Sequence, residues 1–169
     1  MCRYPLPAAH EMKRLSVILL LVLASPAWAG LAEDLVAADA KGDYATELRI
    51  AMPFAQKGAD WAQSILGDLY EGGLGVKRDY YEAVKWYRLA AAQGLAMAQY
   101  NLGLAYKNGK GVLQDTVRAH MWFNIAAFGG VKDATKKRDV VARKMTPQQI
   151  GEAQTLARDC QARQFKGCE

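Results

Sequence analysis

Apolar residues in this chain recur at a helical step, and the whole pattern then recurs as a block. Within Ala59–Gly94, Ala62, Leu66, Gly67 and Tyr70 fall three and four residues apart, which puts them on one face of a helix. After a glycine-rich break, Ala83, Trp86, Ala90 and Ala91 form a second helical stripe, closed by Gly94. The same block returns without a gap in Leu95–Gly130, 36 residues later, with 14 positions identical. Ala98, Leu102, Gly103 and Tyr106 repeat the first stripe, and Ala119, Trp122, Ala126 and Ala127 repeat the second. A fixed period of this length is what stacked helical arrays show.

Each block predicts two antiparallel helices. A glycine inside a helix costs about 1 kcal/mol relative to alanine, so the recurrence of Gly67 as Gly103 predicts a close backbone approach by a partner helix. The runs Gly72–Gly75 and Asn108–Gly111 supply residues free to adopt positive φ at the helix end. Asp79 then reads as an N-cap with Glu82 completing a capping box, while Asp115 caps without the box because Arg118 stands three residues on. One hairpin cannot bury its apolar face alone, so neighbouring blocks must stack. That makes the repeated Trp and Tyr core residues.

The pattern A-x-x-x-L-G-x-x-Y-x-x-G-x-G-V-x-x-D, then A-x-x-W-Y/F-x-x-A-A and a closing Gly, resembles the Sel-1-like repeat, a relative of the tetratricopeptide repeat. The resemblance implies an all-α fold: a right-handed α/α solenoid of two full repeats with partial or capping helices at both ends, acting as a protein–protein interaction scaffold.

The flanks fit that frame. Residues 1–29 read as a signal peptide: Lys13 and Arg14, the apolar run Leu15–Ala24, and the small-x-small site Ala27-Trp28-Ala29 before Gly30, with Met12 an alternative start. The apolar run is about ten residues, half of the roughly 20 that span a bilayer. Residues 30–58 read as N-terminal capping helices, Leu31–Lys41 and then a half repeat in which Pro53 kinks the helix. Residues 59–94 and 95–130 are the full repeats. Residues 131–169 are a degenerate repeat over Val131–Met145 and a capping helix opened by Thr146-Pro147-Gln148-Gln149.

Charge and chemistry narrow the function. The net charge of +5 falls to +3 without the leader, too small to imply nucleic acid as a partner. Past residue 29 the chain holds one serine, Ser64, one histidine, His120, and two cysteines, Cys160 and Cys168. An exported even pair reads first as a disulfide. Ser64 and His120 belong to different helices of different repeats and neither has a base and orienting group in sequence, so His120 reads as satisfied or solvent-facing. No cluster carries metal-ligand spacing, and the glycine runs lie between helices and not after a strand, which excludes a phosphate loop. The expectation is a monomer without cofactor or metal. Some exported cysteine-rich members of the family are associated with binding or slow hydrolysis of β-lactams, through Cys pairs that both repeats here lack. A weak hydrolase or binder of cell-wall-related small molecules therefore stays as one alternative. A regulator of a membrane sensor, acting on its exported domain, stays as another.

By the same resemblance, a protein or peptide partner binds the concave groove lined by the first helix of each repeat. The candidate positions are Trp61, Ser64, Ile65, Asp68 and Glu71 in the first copy, and Met97, Tyr100, Asn101, Leu104 and Lys107 in the second. Lys136 and Lys137 continue the register. Charge is uneven: residues 30–130 hold 10 basic and 11 acidic side chains, residues 131–169 hold 9 and 5.

Overall fold

The computed structural model describes residues 26–168, with side chains from residue 30 onward. The expected leader lies outside these residues except for its last four, which already belong to a helix. The described residues form eight helices and no strand: α1 (Pro26–Lys41), α2 (Tyr44–Gln56), α3 (Asp60–Gly72), α4 (Tyr80–Ala91), α5 (Ala96–Asn108), α6 (Thr116–Phe128), α7 (Lys132–Ala142) and α8 (Pro147–Ala162). The first helix thus starts at Pro26, five residues ahead of the expected Leu31. The helices run as hairpins, α3 with α4 and α5 with α6, each joined to its neighbours through α2–α3, α4–α5 and α6–α7 packing. The result is an α solenoid.

Three devices in the sequence build each hairpin. The second helices begin on an Asp at a 36-residue interval. The Asp43 carboxylate accepts from Thr46 N, Asp79 from Tyr81 N and Glu82 N, and Asp115 from Arg118 N. The box expected at Asp79 is only half formed. The Asp79 backbone N–H donates to Tyr70 O at 3.0 Å, and Glu82 turns outward to Lys85. A complete box forms instead at α8, where Thr146 and Gln149 cap one another at 2.9 and 3.2 Å.

The second helices end on a glycine of positive φ. Gly58, Gly94 and Gly130 have φ of 94°, 90° and 89°. At each, two bonds run back into the helix, as Gly94 N to Ala91 O and Leu95 N to Ala90 O. This satisfies two terminal carbonyls and launches the next first helix without a side-chain cap. The third device is the buried glycine. A Cβ on Gly67 would collide with the Tyr87 ring, and one on Gly103 with the Phe123 ring. The expected close approach is therefore made by an aromatic ring of the second helix and not by its backbone.

Hairpins are tied to one another by a repeated glutamine. Gln63 Nε2 donates to Ala55 O and Gln99 Nε2 to Ala91 O, so a buried side chain satisfies a carbonyl at the end of the preceding hairpin. Pro53 lies near the end of α2, inside the helix. Trp122 is buried in the core as expected, whereas Trp86 is half-buried.

The C-terminal end departs from the repeat. Its last helix, α8, packs against α6. Cys160 and Cys168 are disulfide-bonded with Cα atoms 5.2 Å apart. The short closed loop carries Phe165, whose ring stands 3.1 Å from the position of a Cβ on Gly94. The tail so reaches past the last helix to the junction of the two full repeats.

Two stability outcomes follow from these contacts. Replacing Gly67 by Ala should lower unfolding stability by about 1–3 kcal/mol, because the Tyr87 ring cannot yield without disrupting its own hydrogen bonds. Gly151→Ala, on an exposed turn of α8 where a Cβ meets nothing, should raise it by about 0.5–1 kcal/mol. Thermal denaturation of both variants reads the opposite signs. For the tail, thiol titration of the denatured full chain should find one thiol, Cys2, before reduction and three after it. Reduction should cost about 2–3 kcal/mol of stability for so short a loop.

Candidate interaction groove

The first helices α3, α5 and α7 form one continuous row, and polar side chains stitch it together. Asn101 Nδ2 on α5 donates to Asp68 Oδ1 on α3 at 3.0 Å, and the Tyr100 hydroxyl donates to Asp133 Oδ2 on α7 at 2.8 Å. Lys110 Nζ, in the loop after α5, lies 3.6 Å from Glu71 Oε1. Ser64, Tyr100 and Asn101, expected on the groove surface, are buried, with exposures of 0%, 4% and 2%. The reason is the stacking itself. On α5, Asn101 turns to the preceding first helix, where it meets Asp68, and Tyr100 spends its hydroxyl on the following one. Met97 and Leu104 are half-buried and pack against the core. Lys136 is exposed, while Lys137 is half-buried and pairs with Asp133 at 3.7 Å.

Trp61, Ile65 and Asp68 come together differently. They line a cavity of about 210 Å³ formed where α1 and α2 meet α3, with Leu35 and Asp39 from α1, Glu47 from α2 and Leu74 from the loop after α3. The α1 residues were missed by sequence reasoning because α1 has no register to compare, and Glu47 of α2, although in register with Ala83, because only first helices were assigned to the groove.

Asp68 is the electrostatic centre of this region. Its Oδ1 accepts from the Tyr87 hydroxyl at 2.7 Å as well as from Asn101, and the same hydroxyl lies 3.0 Å from Glu71 Oε2. One phenolic proton thus serves two carboxylates. Burial raises the Asp68 carboxyl to about 7. The Tyr87 hydrogen bond opposes the rise, and the negative charges of Glu71 and Glu47 add to it. Tyr87 is pushed upward in turn, by burial and by the two carboxylates beside it.

The residues with nucleophilic or basic potential lie elsewhere. Ser64 on α3 is buried, and its Oγ has no hydrogen-bond partner among the described residues. His120 on α6, expected to be satisfied or solvent-facing, is buried at 3% exposure, and its Nδ1 also lacks a partner among them. Burial, followed by the charge of Arg138, lowers its pKa against the pull of Asp139. Neither residue lines the α1–α3 cavity or a second space of about 130 Å³ beneath the C-terminal tail. Among the described residues no group of three or more His, Cys, Asp or Glu is placed to hold a metal ion, and no helix is long and apolar enough to cross a membrane.

Asp68 makes stability pH-dependent with a definite sign. A carboxyl at about 7 in the folded chain, against 3.8 as its ordinary value, holds its proton more tightly folded than unfolded. Its contribution is therefore full below about pH 4, declines through pH 4–7 and is gone above. Asp68→Asn should remove that decline. Denaturation of wild type and variant at pH 5 and pH 8 should show the variant gaining on the wild type at the higher pH, by an amount on the order of 1–3 kcal/mol.

Known proteins share this architecture. The family model for the Sel1 repeat matches residues 62–95 and 96–130, within three residues of the bounds set by the internal repeat. No curated protein matches the chain. A solved structure of a protective antigen present in uropathogenic Escherichia coli strains, displaying an SLR fold, is similar with a TM-score of 0.68 and 32% identity, over 72% of this chain and 27% of that one. The Sel1 repeat protein from Oxalobacter formigenes is similar with a TM-score of 0.58 and 34% identity, over 62% of this chain and 43% of that one. This chain therefore spans between about a quarter and less than half of the length of these relatives. Two Sel1 repeats therefore stand at the centre of the solenoid.

Proposed function

We propose that this chain is an exported, non-catalytic scaffold that holds a segment of another protein on the face formed by its first helices. The observation that carries the reading is the cavity between α1, α2 and α3, whose apolar walls are supplied by Leu35, Trp61, Ile65 and Leu74. It opens beside the row of first helices, where a bound segment would run from α3 toward α5. Protein interaction is the general role of Sel1 repeats, and a rigid, hydrogen-bonded row of helices suits it, because a preformed surface loses little entropy on binding. Export rests on the leader-like residues 1–29 and on the Cys160–Cys168 pair, which persists as a disulfide only in an oxidising compartment.

The reading is tested by photo-crosslinking in cells. A photoreactive amino acid is placed at Ile65 or Met97 on the first-helix face, and at Lys85 or Leu89 on exposed positions of α4. Partner adducts should form from the first two sites and not from the others, and the crosslinked chain should come from the cell envelope with Gly30 as its first residue. Adducts from the α4 positions alone would move the interaction to the opposite face.

A further inference from the structure

The C-terminal tail is held by two attachments of different kinds. One is covalent, the Cys160–Cys168 bond, which ties the end of the tail back to the last turn of α8. The other is the ring of Phe165, which packs on the core and stands 3.1 Å from the position of a Cβ on Gly94. Between tail and body lies the space of about 130 Å³, lined by Arg88, Ala92 and Trp122 on one side and by Phe165, Gly167 and Cys168 on the other.

The closed tail carries costs of its own. Gln164 and Phe165 have φ of 52° and 65°, the left-handed region that a Cβ disfavours, and no other non-glycine residue among those described has a positive φ. Trp122 is buried against the space, and its Nε1–H has no acceptor among the described residues. A buried donor in that state has lost its hydration without a replacement. The backbone bonds of the turn, Gln164 N to Gln161 O and Phe165 N to Cys160 O, fasten the tail to its own helix and not to the repeats. Both sulfurs are buried in the closed form, so a thiol or disulfide reagent meets them only when the tail lifts.

From these opposed contributions we infer that the tail is a redox-dependent latch. It rests on Gly94 and covers Trp122 when Cys160 and Cys168 are joined, and it swings open, with the repeats still folded, when both are thiols. Closing needs a disulfide as oxidant, carried by a thiol oxidoreductase or a small thiol compound. One cysteine thiolate attacks that disulfide, and the other then displaces the mixed link. The Cys160–Cys168 bond forms, and the reagent leaves as two thiols with the two electrons and two protons. A dithiol in excess runs the same steps backward and reopens the tail. The latch is built on α4, α6 and α8, so it does not depend on the reading of the first-helix face.

The test compares four forms of the full chain: oxidised, reduced with dithiothreitol, Cys160→Ser with Cys168→Ser, and oxidised Phe165→Ala. Two readouts follow the tail. One is tryptic cleavage after Arg163 and Lys166, both exposed. The other is solvent exchange of the Trp122 indole N–H by NMR, its signal identified by its loss in Trp122→Phe. Backbone hydrogen exchange over residues 62–130 follows the repeats. The reduced and doubly substituted forms should be cut at least about tenfold faster than the oxidised one, because cleavage tracks the population of the open tail. Their Trp122 indole should exchange faster as well, while the repeats keep their protection. Phe165→Ala should speed the indole exchange with the disulfide intact, and oxidised glutathione should return the reduced protein to slow cleavage. Equal rates of cleavage and indole exchange in the oxidised and reduced forms would overturn the proposal, because the tail would then stay shut without the bond. Loss of repeat protection on reduction would also overturn it, by making the bond a staple of the whole fold. Unchanged indole exchange in Phe165→Ala, or cleavage that stays fast after reoxidation, would have the same consequence.

Discussion

The packing of an aromatic ring of the second helix on a bare glycine of the first, made in both full repeats, is the contact on which the solenoid depends. At Gly67 and Gly103 the absence of a Cβ lets the rings of Tyr87 and Phe123 settle against the helix backbone. A glycine inside a helix weakens that helix by about 1 kcal/mol, and burying a full aromatic side chain against it recovers more than this. The ring depth sets the distance between the two helices. The glutamines at positions 63 and 99 act across the other joint, from α3 to α2 and from α5 to α4. Ring and glutamine together fix both faces of each of these first helices.

The two copies use that contact differently. In the second copy the ring is Phe123 and the residue aligned with Asp68 is Leu104, so the pair of hydroxyl and carboxylate is absent there. In the first copy the ring is Tyr87, and its hydroxyl binds Asp68 and approaches Glu71. The polar version places buried negative charge next to the α1–α3 cavity, whereas the apolar version would leave that region neutral. The first repeat therefore trades some stability near neutral pH for an electrostatic feature on the row of first helices.

Most of the fold was legible in the sequence because the chain states it twice. The caps at Asp79, Asp115 and Thr146 and the turns at Gly73, Gly94 and Gly130 each follow from a local rule that needs no tertiary knowledge. The groove was less legible. Helical periodicity assigns Tyr100 and Asn101 to a flank of α5, but only the position of α3 and α7 decides that this flank is covered. The paired exchange of Asp68 and Tyr87 for Leu104 and Phe123 was present in the sequence as a signal of contact. It went unread because positions were compared singly. The α1 side of the cavity had no repeat partner to be compared with, and the Phe165 contact with Gly94 joins segments 71 residues apart that share no pattern.

That last contact bears on how such an array changes length. Phe165, on the disulfide-closed loop, rests at the junction of the two full repeats, so the tail spans the second repeat like a clasp. A further 36-residue unit added by duplication ahead of Gly94 would leave the clasp intact and lengthen the row of first helices at its N-terminal side. The same unit added after Gly94 would separate Phe165 from its seat. A gain of repeats is thus compatible with the clasp on one side only, and the second repeat with its clasp forms a unit that an insertion would have to leave whole.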